Sequence, residues 1–379
     1  MKKSKLMLSM FSIVLSAILM FSVFSSDIFN STATADVKLG NVSGKIAEFK
    51  DGLFNIFNTE ETTQRESKNS QLPLVYLGGY PIGLKLYADG VVIVGTEAVD
   101  TPKGLVDPAQ KAGLRLGDIV KKVNGVTVRS NTEVSDIIEK SAEEPIIFEV
   151  ERDGKSFEVT FRAEFSESEQ KYKAGIWIRD SSAGIGTVTF CMQDGTFASL
   201  GHAVCDIDTK TALPISQGEC TNAQITGFIK GHNGTAGELC GYLDSERTGV
   251  IYSNGELGVY GCFDSVTEGG QLYEIAERTQ VKEGEAEIVS TVENGITERY
   301  SVIIEKVNVD SADNKNLVIK ITDRGLIEKT GGIIQGMSGS PIIQDGKIVG
   351  AVTHVFLNDS TSGFGIFAET MLNNLENIK

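Results

Sequence analysis

Gly331-Gly332-Ile333-Ile334-Gln335-Gly336-Met337-Ser338-Gly339-Ser340-Pro341, followed by Ile342-Ile343-Gln344-Asp345-Gly346-Lys347-Ile348-Val349-Gly350-Ala351-Val352-Thr353-His354, is the stretch that decides how this chain reads. Its centre is Gly336-Met337-Ser338-Gly339-Ser340-Pro341. A serine held between two glycines suits a tight loop whose N–H groups turn toward an incoming carbonyl, because glycine takes backbone angles closed to other residues. Two strand-like runs follow, 341–344 and 347–353, joined at Asp345-Gly346, a favoured hairpin turn. A plain glycine-rich β-turn shares the first feature and carries no chemistry.

The context separates two nucleophile arrangements. An α/β-hydrolase elbow places Gly-x-Ser-x-Gly between a strand and a helix. Here Ser340 stands where the last glycine belongs, and a proline and a hairpin follow. The loop resembles the Gly-Asp-Ser-Gly-Gly-Pro loop of trypsin-like serine peptidases. That resemblance implies Ser338 as nucleophile and the N–H groups of Gly336 and Ser338 as the oxyanion hole. Serine attack needs a base active near neutral pH, usually histidine. Of the three histidines, His202 follows an apolar run in Ala198-Ser199-Leu200-Gly201-His202-Ala203-Val204-Cys205-Asp206 and precedes the serine, so it ranks first. His354 lies on the strand after the serine and reads as a pocket wall, whereas His232, in Lys230-Gly231-His232-Asn233-Gly234, reads as an exposed turn. A carboxylate must fix the base. Asp206, Asp208, Asp244, Asp264, Asp310, Asp313 and Asp323 all lie between His202 and Ser338, and spacing does not choose among them.

Composition narrows the partners. With 35 basic against 51 acidic residues, the net charge of −16 disfavours nucleic acid and anionic membrane surfaces. Lys2, Lys3 and Lys5 precede the uncharged run 6–26, a targeting element that sends the rest of the chain out of the cytoplasm. Its length favours a membrane anchor over a signal peptide cut at Ala33-Thr34-Ala35. Residues 1–35 are therefore assigned to a signal or anchor segment and 36–72 to a stalk or linker. The five cysteines show no Cys-x-x-Cys spacing, and their odd number gives no basis for a disulfide pairing. No Walker loop or zinc motif occurs, so no cofactor and no metal are expected.

Residues 73–165 read as one domain. Runs 75–77, 83–87 and 91–94 have strand character with Asp89-Gly90 as a turn, and Asp107-Pro108 opens a short helix that Gly113 ends. Ser130-Asn131-Thr132-Glu133 is a capping box, and strands 146–152 and 155–162 meet at Asp153-Gly154. Pro108-Ala109-Gln110-Lys111-Ala112-Gly113-Leu114-Arg115-Leu116-Gly117-Asp118-Ile119, with Asn124-Gly125, resembles the PDZ domains attached to bacterial extracytoplasmic proteases. The resemblance implies Pro81-Ile82-Gly83-Leu84 as the carboxylate-binding loop. Ile82, Gly83 and Leu84 would grip a C-terminal or extended peptide beside the helix from Thr132. Val134 and Ile138 then line the groove or merely fill the core. Residues 166–172 form the boundary, and 173–379 hold many short strands with glycine turns, a barrel or sandwich pattern without a visible repeat.

Taken together, the basic-plus-apolar start, one PDZ domain, Gly201-His202-Ala203-Val204-Cys205-Asp206, the serine loop and Gly350-Ala351-Val352-Thr353-His354-Val355-Phe356 resemble the SpoIVB peptidases, stage IV sporulation protein B of endospore formers. The resemblance implies a mainly β chain: an N-terminal transmembrane or signal helix, a PDZ domain, then a trypsin-like double β-barrel over 173–379. It implies a serine endopeptidase with Ser338, His202 and Asp323 as its catalytic residues. Such proteins work at the forespore membrane, cut a membrane-bound regulator to release pro-sigma-K processing, and cut themselves. Two rivals stand beside this reading, a non-catalytic PDZ scaffold and an esterase using the same serine. A specificity pocket drawn from 352–356 and 362–366 offers no acid, so a basic P1 preference is unsupported.

Overall fold

Twelve strands close into two rings of six, and the two rings use the same order of connection. In the first ring these are β1 (Pro81–Thr96), β2 (Ile176–Cys191), β3 (Thr196–Ser199), β4 (Ile215–Ile229), β5 (Glu238–Gly255) and β6 (Gly258–Phe263). They pair in the order 1-2-3-6-5-4, and β4 returns to β1. In the second ring β7 (Gly284–Glu293), β8 (Ile296–Val307), β9 (Leu317–Ile321), β10 (Pro341–Gln344), β11 (Lys347–Phe356) and β12 (Asp359–Phe367) pair as 7-8-9-12-11-10 and close from β10 to β7. Closure removes every sheet edge within a ring, which is how antiparallel strands of this length avoid unpaired backbone groups. These coordinates are a computed structural model, and they describe residues 72–378 apart from Asn233 and residues 267–269. The expected anchor segment 1–35, and the stalk up to residue 71, lie outside the described residues. Among the described residues no helix is long and apolar enough to cross a membrane.

Each ring wraps its own core. Ile82, Leu84, Leu86, Val188, Phe197, Leu213, Ile251 and Val259 fill the first. Ile288, Val302, Ile304, Ile319, Ile342, Val352 and Phe367 belong to the core of the second. A third cluster joins them, with Phe190, Ala198 and Tyr260 from the first barrel meeting Val289, Ile343, Ile348, Ala351 and Ile366 from the second. The C-terminal helix, Ala368–Ile378, adds Ala368, Met371, Leu372 and Leu375 to that seam. Its apolar positions recur at i, i+3, i+4 and i+7, the stripe that a helix buries on one face.

The PDZ-like unit is inserted into the first barrel. In the second barrel the first two strands are joined by a tight turn at Asn294-Gly295, both at positive φ. In the first barrel the corresponding connection opens after Thr96 and carries residues 97–175 before β2 begins. Strand β1 serves both bodies: residues 82–88 pair with β4, and Val91–Val92 pair with the PDZ strand Ile119–Val123. Strand β2 does the same, with Ile176–Arg179 against the distal part of β1 and Ser181–Thr187 against its proximal part. The handover falls at Asp89-Gly90. That pair is a bulge within one strand rather than the expected turn: Gly90 has φ +111°, and a Cβ there would lie 2.7 Å from the Val120 carbonyl oxygen.

Within the insert, α1 (Pro108–Lys111) starts under Asp107, whose side chain accepts the Gln110 N–H. Helix α2 (Asn131–Ser141) carries the full capping box, Ser130 taking the Glu133 N–H and Glu133 reaching back to the Ser130 N–H. Val134 and Ile138 are buried with Val91, Ile93, Leu114, Val120, Phe148 and Val150, so they are core. Asp118 is fully buried and accepts the Arg115 N–H and two hydrogen bonds from Arg152.

These pairings correct three expectations. Residues 81–88 belong to the peptidase barrel, so the first domain does not begin at 73. Residues 166–172 are not a bare boundary but a hairpin, Glu164–Ser166 against Lys171–Lys173. Ile82, Gly83 and Leu84 are not a carboxylate-binding loop. They sit mid-strand in β1 with Gly186, Ile185 and Gly184 on one edge and Asn222, Thr221 and Cys220 on the other. Both ladders being filled, no N–H is left for a peptide terminus.

Candidate active site

The serine loop links α3 (Arg324–Thr330) to β10 and is clamped from both barrels. Thr187 on β2 donates its hydroxyl to the Gly336 carbonyl at 2.7 Å and its N–H to the Ser338 carbonyl at 3.2 Å. Thr189 donates to the Gly339 carbonyl at 2.8 Å, while the Gly339 N–H is taken by Val352 on β11 at 2.7 Å. Gly339 is required twice over, since its φ is +96° and a Cβ would lie 2.1 Å from the Thr187 carbonyl oxygen. Gly336 also has φ +96°, and a Cβ there would press into Leu239 at 2.9 Å. Leu239 lies at the start of β5, whose N–H groups reach the loop through Gln335 (Leu239 N–H to Gln335 carbonyl, 2.9 Å). Among the described residues, neither the Gly336 N–H nor the Ser338 N–H has a protein acceptor, whereas those of Met337, Gly339 and Ser340 are all taken.

A cavity of about 360 Å³ opens beside the loop, lined by Gly336, Ser338, His202, Thr353 and His354 among polar or small residues. Ala236, Ile333, Ile334, Val355 and Leu357 give it apolar walls, and no carboxylate lines it. Ser338 donates its hydroxyl to the Thr353 carbonyl at 2.6 Å, so in this state the serine proton points away from His202.

His202 leaves β3 through Leu200 and Gly201, both at positive φ, which turns the chain sharply into the cavity. Its Nδ1 lies 2.8 Å from the Ala203 carbonyl oxygen. A carbonyl only accepts, so Nδ1 carries the proton and Nε2 is left as the basic nitrogen. Burial pushes the His202 pKa below the ordinary imidazole value, against the opposing effect of the Ala203 bond. The His354 ring stacks at a tilt against it, centroids 4.8 Å apart. Although His354 itself reaches solvent, desolvation by the cleft walls lowers its pKa, and the charges of His202 and Lys315 lower it further. Both shifts favour the neutral imidazole, the form a general base requires.

Asp323 is not brought to His202. Its carboxylate accepts the Leu326 N–H at 2.8 Å and caps α3, and it lines neither cavity that contains His202. Of the other aspartates, Asp206 is buried against Arg179 and accepts the Asp208 and Thr209 N–H groups, a structural knot. His232 forms a turn with Thr235 and does not line the serine's cavity. Thr353 falls in the expected pocket stretch 352–356, whereas Thr187, Thr189 and Leu239 were missed by sequence reasoning. Nothing in their local sequence marks them, because each acts through a partner far along the chain.

Two antiparallel barrels meeting at a serine and a histidine define a serine peptidase of the two-barrel class. The chain belongs to the SpoIVB peptidase S55 family, whose model matches residues 170–372, more than half of the 379. A PDZ-domain model matches residues 107–152, inside the insert. Among solved structures the chain is similar to the active form of the Rv3671c protease from M. tuberculosis, at 14% identity and TM-score 0.32, over 52% of this chain and 74% of that one. It is also similar to the HtrA-type protease AlgW with decapeptide, at 12% identity and TM-score 0.31, over 53% of this chain and 54% of that one. No curated protein matches the chain.

Proposed function

We propose that this serine peptidase uses Ser338 as nucleophile and His202 as base, and acts in sporulation on a membrane-bound regulator outside the cytoplasm. The observation that carries the chemistry is the shared cavity: Ser338, His202 and the free-donor pair of Gly336 and Ser338 line one space. Rotation of the Ser338 hydroxyl from the Thr353 carbonyl toward Nε2 starts the reaction. The Oγ attacks the scissile carbonyl as its proton passes to Nε2, and the two N–H groups take the oxyanion. His202 then protonates the leaving amine, and water repeats the sequence on the acyl-enzyme.

The apolar walls of the cavity favour an apolar P1 side chain. The PDZ unit offers a peptide one strand edge in place of the one expected at Ile82–Leu84. Ile176–Arg179 of β2 pairs on one side with β1 and has no strand on its other side among the described residues, and Ile176 and Ile178 pack on the same core as Val134 and Ile138. A C-terminal or extended peptide added there is the mode such domains use. An N-terminal anchor would hold the enzyme beside its substrate at the forespore membrane, and cleavage of that substrate would release pro-sigma-K processing; self-cleavage belongs to the same proposal. Co-expression of the full chain with a candidate membrane-bound regulator tests it. Cleavage by the wild type and none by Ser338→Ala is expected; equal cleavage by both removes the proposal, and an intact regulator with retained binding favours a scaffold.

A further inference from the structure

His202 has no carboxylate at Nδ1 in this structure, and Asp323 is occupied in capping a helix. An imidazolium formed in a largely buried site without a counter-charge is costly. A second cavity of about 940 Å³ shares Ile185, Leu200, His202, Gln335 and His354 with the first and carries two carboxylates, Glu256 and Asp313. Asp313 is engaged: it accepts the Ser311 hydroxyl at 2.6 Å and the Lys315 N–H at 3.3 Å, and pairs with the Lys315 ammonium at 3.5 Å. Glu256 has no ion pair or hydrogen-bond partner among the described residues.

Glu256 stands on the turn between β5 and β6, and both flanks of that turn are fixed to the two sides of His202. On one flank Asn254 accepts the Val204 N–H at 2.7 Å and donates to the Val204 and Leu213 carbonyls, each at 3.0 Å. On the other, Gly258 at φ +135° approaches so closely that a Cβ would lie 2.7 Å from the Ser199 carbonyl oxygen and 3.3 Å from the Gly201 nitrogen. Gly201 and Val204 bracket His202-Ala203 in sequence, as Asn254 and Gly258 bracket Glu256.

Resting on the assignment of Ser338 and His202 above, we propose that Glu256 is the carboxylate that positions His202, displacing the Ala203 carbonyl from Nδ1 when substrate fills the cleft. Three rotatable side-chain bonds and the lack of any competing partner let it swing across the shared cavity. It fixes the Nδ1–H tautomer and balances the imidazolium that forms when Nε2 takes the serine proton. Glu256 is thus a positioning residue, acting through His202. The titratable and charged groups lining the two cavities that contain His202 are Ser338, His354, Cys205, Lys210, Glu256 and Asp313, of which His354 touches its ring.

The test compares full-length wild type, Glu256→Gln, Glu256→Asp, Asp323→Asn and Ser338→Ala for kcat, KM, the pH dependence of kcat, which reports the substrate-bound enzyme, and thermal midpoint. Loss of the triad carboxylate in a related constellation costs kcat about 10⁴-fold; for this exposed glutamate a fall of about 10²- to 10⁴-fold is expected in Glu256→Gln. Its KM and thermal midpoint should stay put, and its acid limb should move to lower pH because the anion that favours imidazolium is gone. Glu256→Asp should recover most of the loss, and Asp323→Asn should keep kcat and nearly keep its thermal midpoint, because asparagine caps a helix about as well as aspartate. Wild-type kcat and pH profile in Glu256→Gln, with Ser338→Ala inactive, would overturn the role of Glu256 alone. So would a kcat loss in Asp323→Asn at unchanged thermal midpoint. Full activity in Ser338→Ala would remove the underlying assignment instead.

Discussion

Replacing Thr187 by Val tests whether the first barrel holds the oxyanion loop in shape. The substitution keeps the branched volume and deletes one hydroxyl, the donor to the Gly336 carbonyl at 2.7 Å. Thr187 is 2% exposed, so water does not replace that donor. An acceptor left unsatisfied in such a place costs about 1–3 kcal/mol. The penalty falls on the loop conformation that presents the Gly336 and Ser338 N–H groups, because a flip of the peptide bond would let the carbonyl find another donor. If all of it appears in the transition state, kcat falls about 5- to 160-fold, at most reaching the lower part of the range for deleting an oxyanion donor outright. The assay is steady-state hydrolysis of a peptide substrate by wild type, Thr187→Val and Thr187→Ser, with thermal melts alongside. Thr187→Ser should keep near-native kcat, since it keeps the hydroxyl. A Thr187→Val enzyme with unchanged kcat at unchanged thermal midpoint would refute the clamp.

Three further outcomes are expected. Asp118→Ala should destabilise the chain by about 3 kcal/mol in denaturant titration, the low end for breaking a buried ion pair, because Arg152 still reaches solvent. The acid limb of kcat/KM should have its midpoint below the ordinary histidine value of 6.5, since burial lowers the His202 pKa and activity needs the neutral ring. His354 also has a depressed folded-state pKa, so stability is fully present above the unfolded value, about 6.5, and is lost as pH falls from there through the lower folded value; melts from pH 7 down to 4 should show this, and His354→Gln should flatten it. A peptide library should return apolar residues at P1 and reject Lys, Arg, Asp and Glu, because Ile333, Ile334, Val355 and Leu357 line the cavity without a carboxylate.

Local sequence disclosed the parts of this protein that local physics fixes. The hairpin at Asp345-Gly346, the capping box at Ser130 and Glu133, and the cap-then-proline start at Asp107-Pro108 all stand where spacing puts them. The serine loop was visible because the Gly336-Met337-Ser338-Gly339 sequence states a backbone need. What escaped was set by distant pairing. Asp89-Gly90 has the composition of a hairpin turn, but the strand runs through it because barrel strands hold one half and PDZ strands the other. The repeated 1-2-3-6-5-4 order left no trace in sequence, since a strand requires only alternating apolar positions and not particular residues. Asp323 misled by family likeness although it carries an N-cap signature, an acid directly before a helical run. Glu256, in an exposed turn, offered no signal at all until the turn was seen fastened to both sides of His202.

The most direct measurement is intact-mass detection of an acyl-enzyme formed by the full chain with a slowly hydrolysed ester, followed by peptide mapping. One acyl group on Ser338 in the wild type, and none in Ser338→Ala or His202→Ala, is the expected result. Equal acylation of Ser338→Ala, or a label mapped to another residue, would contradict the assignment of Ser338 as the nucleophile.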